Sequence, residues 1–162
     1  MIFATLFDLP LWGLKARFKA VPSNHNPDAC GKTILVVDDE PDVLRLLQSI
    51  LKEEGYEVMA VRSAESAIKT YQSLERRPDL VLTDVVMPGM SGPMLVDHLL
   101  GIEPAQKFLF MSGFDDRQVV QRYVVERGFH LIPKPFTVNA IRLAIDEIIK
   151  SPLTVAGKGP AR

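Results

Sequence analysis

The segment from residue 34 to residue 47, ILVVDDEPDVLRLL, changes its hydrophobic period abruptly at a cluster of three acids. Before the acids, a continuous β-branched run is typical of a strand that is buried on both faces. After them, Pro41 suits the first turn of a helix, because its missing N–H would have no partner there. The apolar residues that follow recur at spacings of three and four, which predicts an amphipathic helix that ends near Gly55.

The same alternation of strand and helix signals continues to about residue 150. It predicts four more strands, YEVMAV, LVLTD, KFLFMS and HLIP, each followed by a helical pattern. Ser63 and Thr137 are the expected caps of the second and last helices, MLVDHLL forms the third after the loop VMPGMSGP, and the fourth spans about 115–127. Five strands alternating with five helices predict an α/β fold, a doubly wound five-stranded parallel sheet covered by helices on both faces.

Composition excludes several classes of protein. The chain of 162 residues has a formal net charge of -1 and one cysteine, so it has no basic field for nucleic acid and cannot form an internal disulfide.

The N-terminal apolar block is interrupted by Asp8 and Pro10 and precedes its positive charges, which argues against a secretory signal. We expect residues 1–31 to be a mobile extension and linker rather than an interfacial membrane helix, 32–150 to be the folded domain, and 151–162 to be a loose tail.

Polar side chains end four of the predicted strands. Asp38 and Asp39 follow the first strand, Asp84 ends the third, Ser112 ends the fourth and Lys134 follows the fifth. Because the carboxyl ends of parallel strands meet at one edge of the sheet, these side chains should gather on one rim. Three carboxylates so close together repel one another unless a cation neutralises them, and Mg²⁺ is a hard cation that takes oxygen ligands.

The remaining residues indicate what the metal would serve. Lys134 can pair with one phosphoryl oxygen, Ser112 can donate to another, and Asp84 can then attack phosphorus and form an acyl phosphate. Each residue also has an ordinary structural interpretation: a helix cap for Asp38 or Asp39, a turn for Ser112, a solvated charge for Lys134. The joint pattern on four strands favours the chemical interpretation over a chance coincidence.

The motifs VVDDEP, LTDVVMPGMSG, FMSG and PKPF, in this order and spacing, resemble the receiver domain of two-component response regulators, in particular the stand-alone chemotaxis type. The resemblance covers about residues 32–150. It implies a flavodoxin-like (βα)5 fold with strand order 2-1-3-4-5. It further implies that Asp84 accepts a phosphoryl group from a histidine kinase or histidine phosphotransfer protein.

The resemblance also assigns the other site residues. Asp38, Asp39 and Asp84 would bind Mg²⁺ together with the backbone carbonyl of Val86. Ser112 would be the switch hydroxyl, Lys134 the phosphate-binding lysine, and the bond from Lys134 to Pro135 would be cis. Glu40 is expected to be a first-turn acid that complements the helix dipole.

The sequence departs from the receiver pattern at three positions. Many receivers have an aromatic switch residue where this chain has Leu131, so the usual coupling of the hydroxyl to a ring is in doubt. Val86 and Phe114, two residues after Asp84 and Ser112, are apolar and flank the route of a hydrolytic water. We therefore hypothesise slow self-dephosphorylation. His130, beside Leu131, is expected to be an edge residue rather than a phosphate carrier.

The expected function is a cytoplasmic signalling switch that acts by protein contact, without a further output domain. Its downstream target would bind the face formed by the fourth helix, fifth strand and fifth helix, which includes Gln118 and Arg122 and could also form a homodimer. Its only catalysis would be its own Mg²⁺-dependent phosphorylation and dephosphorylation. Two alternatives are a pseudo-receiver that binds partners without phosphorylation and a haloacid-dehalogenase-type phosphatase. The latter needs a second Asp two residues after its nucleophile on the first strand, a pattern missing here.

Overall fold

A computed structural model describes residues 29–113 and 120–151 of the chain. The alternation predicted from the sequence is present in it. The strands are β1 Thr33–Val37, β2 Glu57–Val61, β3 Leu80–Asp84, β4 Phe108–Ser112 and β5 His130–Pro133. The helices are α1 Pro41–Glu53, α2 Ala64–Ser73, α3 Gly92–Ile102, α5 Val138–Lys150 and, between β4 and β5, a π-helical segment, Val120–Val125, labelled α4.

The five strands form one parallel sheet in the order β2-β1-β3-β4-β5, as predicted. The register aligns the strand ends: Val37 lies opposite Thr83, Asp84 opposite Met111, and Ser112 opposite Pro133. This register places the residues that follow β1, β3, β4 and β5 along a single rim of the sheet.

Helices cover both faces of the sheet. Alternate residues of each strand point to opposite faces, so each inner strand contributes side chains to two apolar clusters. On one side, Ile34 and Val36 of β1 belong to an apolar cluster with residues of α1 and α5. On the other side, Leu35 and Val37 of β1 belong to a second cluster with residues of α2, α3 and α4. The sheet is therefore buried on both faces at β1, β3 and β4.

The predicted helix boundaries are mostly confirmed. Gly55 has a φ of 100°, which suits the residue after α1, and the hydroxyls of Ser63 and Thr137 accept hydrogen bonds from backbone N–H groups in the first turns of α2 and α5. The third helix begins at Gly92, two residues before the predicted MLVDHLL. Pro93 is compatible with this earlier start because proline is tolerated in a first helical turn.

The fourth helix was predicted over 115–127, of which residues 115–119 lie outside the described part of the chain. Within the described part, only Val120–Val125 is helical there, with π spacing, and a turn follows that includes Gly128 with a φ of 74°. β-branched valines lower the helix propensity of this segment. The predictions for residues 1–28, for Phe114 and Gln118, and for residues 152–162 lie outside the described residues.

A candidate phosphoacceptor and metal site

Lys134 is the centre of the charged rim. Its Nζ lies 2.8 Å from Oδ2 of Asp38 and 3.1 Å from Oδ2 of Asp84, so one ammonium group bridges carboxylates from two strands. The Asp38 side chain is fully buried and that of Lys134 is 16% exposed. Burial disfavours the charged lysine, but the hydrogen bonds and charges of both aspartates outweigh it and raise the pKa of Lys134. Lys134 is therefore a fixed positive charge.

Glu40 lies nearer to this rim than its predicted role as a helix-dipole acid requires. Its carboxylate is 3.6 Å from Nζ of Lys134, although its side chain is 62% exposed. Its backbone N–H donates to Oδ1 of Asp38 at 2.9 Å, which fixes the orientation of that buried carboxylate. The sequence did not indicate this backbone contact.

Three carboxylates have the arrangement that a metal site needs. One oxygen each from Asp38, Asp39 and Asp84 lies within 4.8 Å of the other two. Together they carry up to three negative charges, and Lys134 can neutralise only one. An oxygen-only set with excess negative charge fits a hard divalent cation such as Mg²⁺. The aspartates selected from the sequence therefore meet, and they are able to hold a metal.

Asp84 is an unusually basic carboxylate. Burial raises its pKa from 3.8 to about 6, and the neighbouring Asp38 carboxylate adds to this rise, while Lys134 and the hydrogen bond from Val85 N–H oppose it. That N–H donates to Oδ1 of Asp84 at 2.8 Å. The side chain is thus held in place by contacts with both of its oxygens.

The end of β3, where Asp84 lies, depends on a glycine to which sequence analysis assigned no role. Gly92 N–H donates to the carbonyl of Val85 at 3.0 Å. A Cβ on Gly92 would overlap the backbone carbonyl oxygen of Asp84. Gly92 therefore lets the start of α3 approach the end of β3 closely. Gly92 is the last residue of the motif LTDVVMPGMSG, which is the sequence signal that could have identified it.

Ser112 and the loop after β5 complete the rim. Ser112 is buried at the end of β4, and its backbone carbonyl accepts a hydrogen bond from Lys134 N–H at 2.7 Å. The peptide bond between Lys134 and Pro135 is cis, as the resemblance implies. Val86 is 52% exposed beside the site. The structure thus assembles Asp38, Asp39, Asp84, Ser112 and Lys134 at one end of the sheet.

The comparisons with known proteins agree with this arrangement. The family model described as "Response regulator receiver domain" matches residues 34–146. Sensor kinase CckA of Brucella abortus is 31% identical to this chain. The matched segment is 73% of this chain but only 12% of the length of that kinase. Two-component response regulator ARR2 of Arabidopsis thaliana is 30% identical. The matched segment is 79% of this chain and 19% of the length of that regulator. Chemotaxis protein CheY of Thermotoga maritima is 28% identical over 74% of this chain and 99% of its own length.

Solved structures show the same fold. A response regulator receiver domain protein from Clostridium thermocellum has a TM-score of 0.68 and 27% identity, covering 73% of this chain and 94% of that one. A response regulator receiver protein from Sinorhizobium medicae has a TM-score of 0.66 and 26% identity, covering 74% and 95%. No helix in the described ranges is long and apolar enough to cross a membrane. With its matching sequence, topology and acidic rim, the chain belongs to the response regulator receiver domain family of two-component systems.

Proposed function

We propose that this chain is a phosphoacceptor switch in a two-component phosphorelay and that Asp84 accepts the phosphoryl group. The observation that carries the proposal is the position of Asp84, a buried carboxylate 3.1 Å from Lys134 Nζ and grouped with Asp38 and Asp39. A donor phosphorus placed at this rim would meet a nucleophile, a cation and a set of metal ligands at once. The donor would be a phosphorylated histidine of a kinase or phosphotransfer protein.

The proposed reaction transfers one phosphoryl group. An Oδ atom of ionised Asp84 attacks phosphorus, the phosphorus–nitrogen bond of the phosphohistidine breaks, and the imidazole leaves with the bonding electron pair. Lys134 is placed to pair with a phosphoryl oxygen, and Ser112 is the hydroxyl assigned to another. Mg²⁺ held by Asp38, Asp39, Asp84 and the backbone carbonyl of Val86 would neutralise negative charge on the phosphoryl oxygens.

The proposed output is a change in protein contacts. Movement of Ser112 towards the phosphoryl group would alter the surface formed by α4, β5 and α5, which would bind a downstream protein or a second copy of the chain. Val125, Val138 and Leu143 are each more than half exposed on these helices. We place this switch in the cytoplasm and assign its folded domain to residues 32–150. The apolar Val86 and Phe114 lead us to propose slow self-dephosphorylation, which a phosphoryl half-life of seconds would contradict.

Intact mass spectrometry tests the proposed function directly. The wild type, Asp84→Asn and Asp42→Asn are incubated with acetyl phosphate and Mg²⁺, with EDTA in parallel samples. Asp42 is an exposed carboxylate on α1 outside the metal cluster and serves as the matched control. We expect one phosphoryl group on the wild type and on Asp42→Asn, and none on Asp84→Asn or in EDTA. Equal uptake by Asp84→Asn would contradict the assignment.

A further inference from the structure

Aromatic rings fill the space between α4 and the last two strands. Tyr123 and Phe129 stack with their planes 9° apart and their centroids at 5.7 Å. Both meet Phe110 of β4 edge-on, at 6.0 Å and 5.5 Å between ring centroids. Leu131, at the position of the usual aromatic switch residue, lies opposite Phe110 in the sheet register and packs against the same cluster. The aromatic ring that β5 lacks is thus supplied by neighbouring elements.

A polar clasp, which we define as Tyr123, Asp97 and Arg127, joins this cluster to α3. The Tyr123 hydroxyl and an Arg127 N–H group both donate to Oδ1 of Asp97 at 2.7 Å. The Arg127 guanidinium also lies 4.4 Å from the centroid of the Tyr123 ring, at cation–π distance. Burial, and next the hydrogen bond to Asp97, raise the pKa of Tyr123, so its hydroxyl remains a donor at neutral pH.

The clasp connects elements that reach both sides of the proposed phosphoryl site. Asp97 lies on α3, whose first residue, Gly92, approaches the carbonyl of Asp84. Tyr123 lies on α4 and contacts Phe110, which shares a face of β4 with Ser112 because alternate strand residues point the same way. A displacement of Ser112 would therefore act on the ring against which Tyr123 packs.

The clasp is also suited to opening reversibly. The side chains of Asp97 and Arg127 are 56% and 34% exposed, so water can replace their contact at small cost. The segment that carries Tyr123 has π spacing, which is rare and recurs at functional sites of helices. A device that must open and close needs contacts of this modest strength, since both states have to be populated.

We infer that Tyr123 is the aromatic switch residue of this chain. When Ser112 is displaced, the Tyr123 hydroxyl leaves Asp97, and this release changes the surface of α4. The inference rests on the proposed function, because phosphorylation of Asp84 supplies the displacement. In the unphosphorylated protein the clasp holds α4 against α3. In the phosphorylated protein the Tyr123 hydroxyl leaves Asp97 and α4 loosens.

Hydrogen exchange measured by mass spectrometry over residues 120–129 tests the inference. The variant Tyr123→Phe removes the hydroxyl donor of the clasp, and Asp97→Ala removes the acceptor that Tyr123 and Arg127 share. The control Tyr56→Phe removes another hydroxyl that donates to a carboxylate, that of Asp146 at 3.3 Å, on the opposite face of the sheet. Each protein is measured before and after treatment with acetyl phosphate and Mg²⁺, and phosphoryl uptake is read by intact mass on the same samples.

Before phosphorylation, we expect exchange over residues 120–129 to be about threefold to tenfold faster in both clasp variants than in the wild type. Phosphorylation should produce a rise of similar size in the wild type and in Tyr56→Phe, and little further rise in the clasp variants. Clasp variants that exchange like the unphosphorylated wild type would overturn the inference. So would phosphorylated wild type with unchanged exchange. Absence of uptake in every sample, from acetyl phosphate and from a phosphohistidine donor, would instead refute the proposed function, and with it the coupling to Ser112.

Discussion

Removing the charge of Asp84 should stabilise the metal-free protein. Burial raises the pKa of this carboxyl from 3.8 to about 6, so the fold disfavours its ionised form. A difference of about two pKa units corresponds to at most about 3 kcal/mol. Because 10% of the Asp84 side chain remains exposed and a buried charge costs less once its site relaxes, we expect a smaller effect of about 1–2 kcal/mol. Asp84→Asn should gain this free energy of unfolding at pH 7.5, while Lys134 keeps its contact with Asp38 at 2.8 Å.

Urea denaturation in EDTA at several pH values measures this effect. Since the folded pKa of Asp84 is raised, the contribution of this group to wild-type stability is largest below the unfolded pKa near 4 and is lost as the pH rises through about 6. The advantage of Asp84→Asn should therefore be full at pH 7.5, shrink as the pH falls below 6, and disappear near pH 4. Glu40→Gln is the control, because its carboxylate also lies beside Lys134 but is 62% exposed. It should change stability by less than about 0.5 kcal/mol.

Mg²⁺ should reduce the stability advantage of Asp84→Asn. A ligand that binds only the folded state at about ten times its Kd contributes about 1.4 kcal/mol. The wild type should gain this amount with Mg²⁺, and Asp84→Asn should gain less because it lacks one of three carboxylates. If Asp84→Asn were less stable than the wild type in EDTA at pH 7.5, the ionised Asp84 would not be a cost to the fold, and the reasoning would be refuted.

Three further predictions follow from contacts near the site and at the opposite end of the sheet. Gly92→Ala should lower the free energy of unfolding by about 2–4 kcal/mol in urea denaturation and weaken Mg²⁺ binding, because the added Cβ overlaps the Asp84 carbonyl oxygen. The control Gly101→Ala, which has open space around its Cβ, should neither lower stability nor weaken Mg²⁺ binding. Mg²⁺ affinity measured by calorimetry should fall about tenfold from pH 7.5 to pH 5, because a proton on Asp84, whose pKa is about 6, competes with the metal; an unchanged affinity would argue against Asp84 as a ligand. Lys107→Met should speed hydrogen exchange in the last turn of α5, because Nζ of Lys107 donates to three backbone carbonyls there, at 2.8–2.9 Å; unchanged exchange would show that the turn does not need this cap.

The sequence predicted the sheet well because its strands are short, continuous and apolar, a pattern that little else produces in an α/β chain. The residues of the charged rim were also predictable, since parallel topology alone brings the ends of β1, β3, β4 and β5 together. The prediction that Asp84 would lie near Asp38 and Lys134 is confirmed by the distances between them.

Contacts made by backbone proximity or by side chains far apart in sequence were not predictable. Gly92 ends the motif LTDVVMPGMSG, but its importance appears only when the start of α3 is seen against the Asp84 carbonyl. Asp97 and Tyr123 are separated by 26 residues, and their hydrogen bond depends on how α3 and α4 pack. Leu131 was recognised as a departure, but the sequence did not show which ring lies beside it.

The most direct test of the central claim is the chemical location of the phosphoryl group. The protein is phosphorylated from a phosphohistidine donor or acetyl phosphate in Mg²⁺ and reduced with borohydride, which converts an aspartyl phosphate to homoserine, and the modified residue is located by tandem mass spectrometry. The account predicts homoserine at position 84 and unmodified aspartate at positions 38 and 39, with no conversion in EDTA. Conversion at another residue, or no conversion with either donor, would contradict the assignment of Asp84 as the phosphoacceptor.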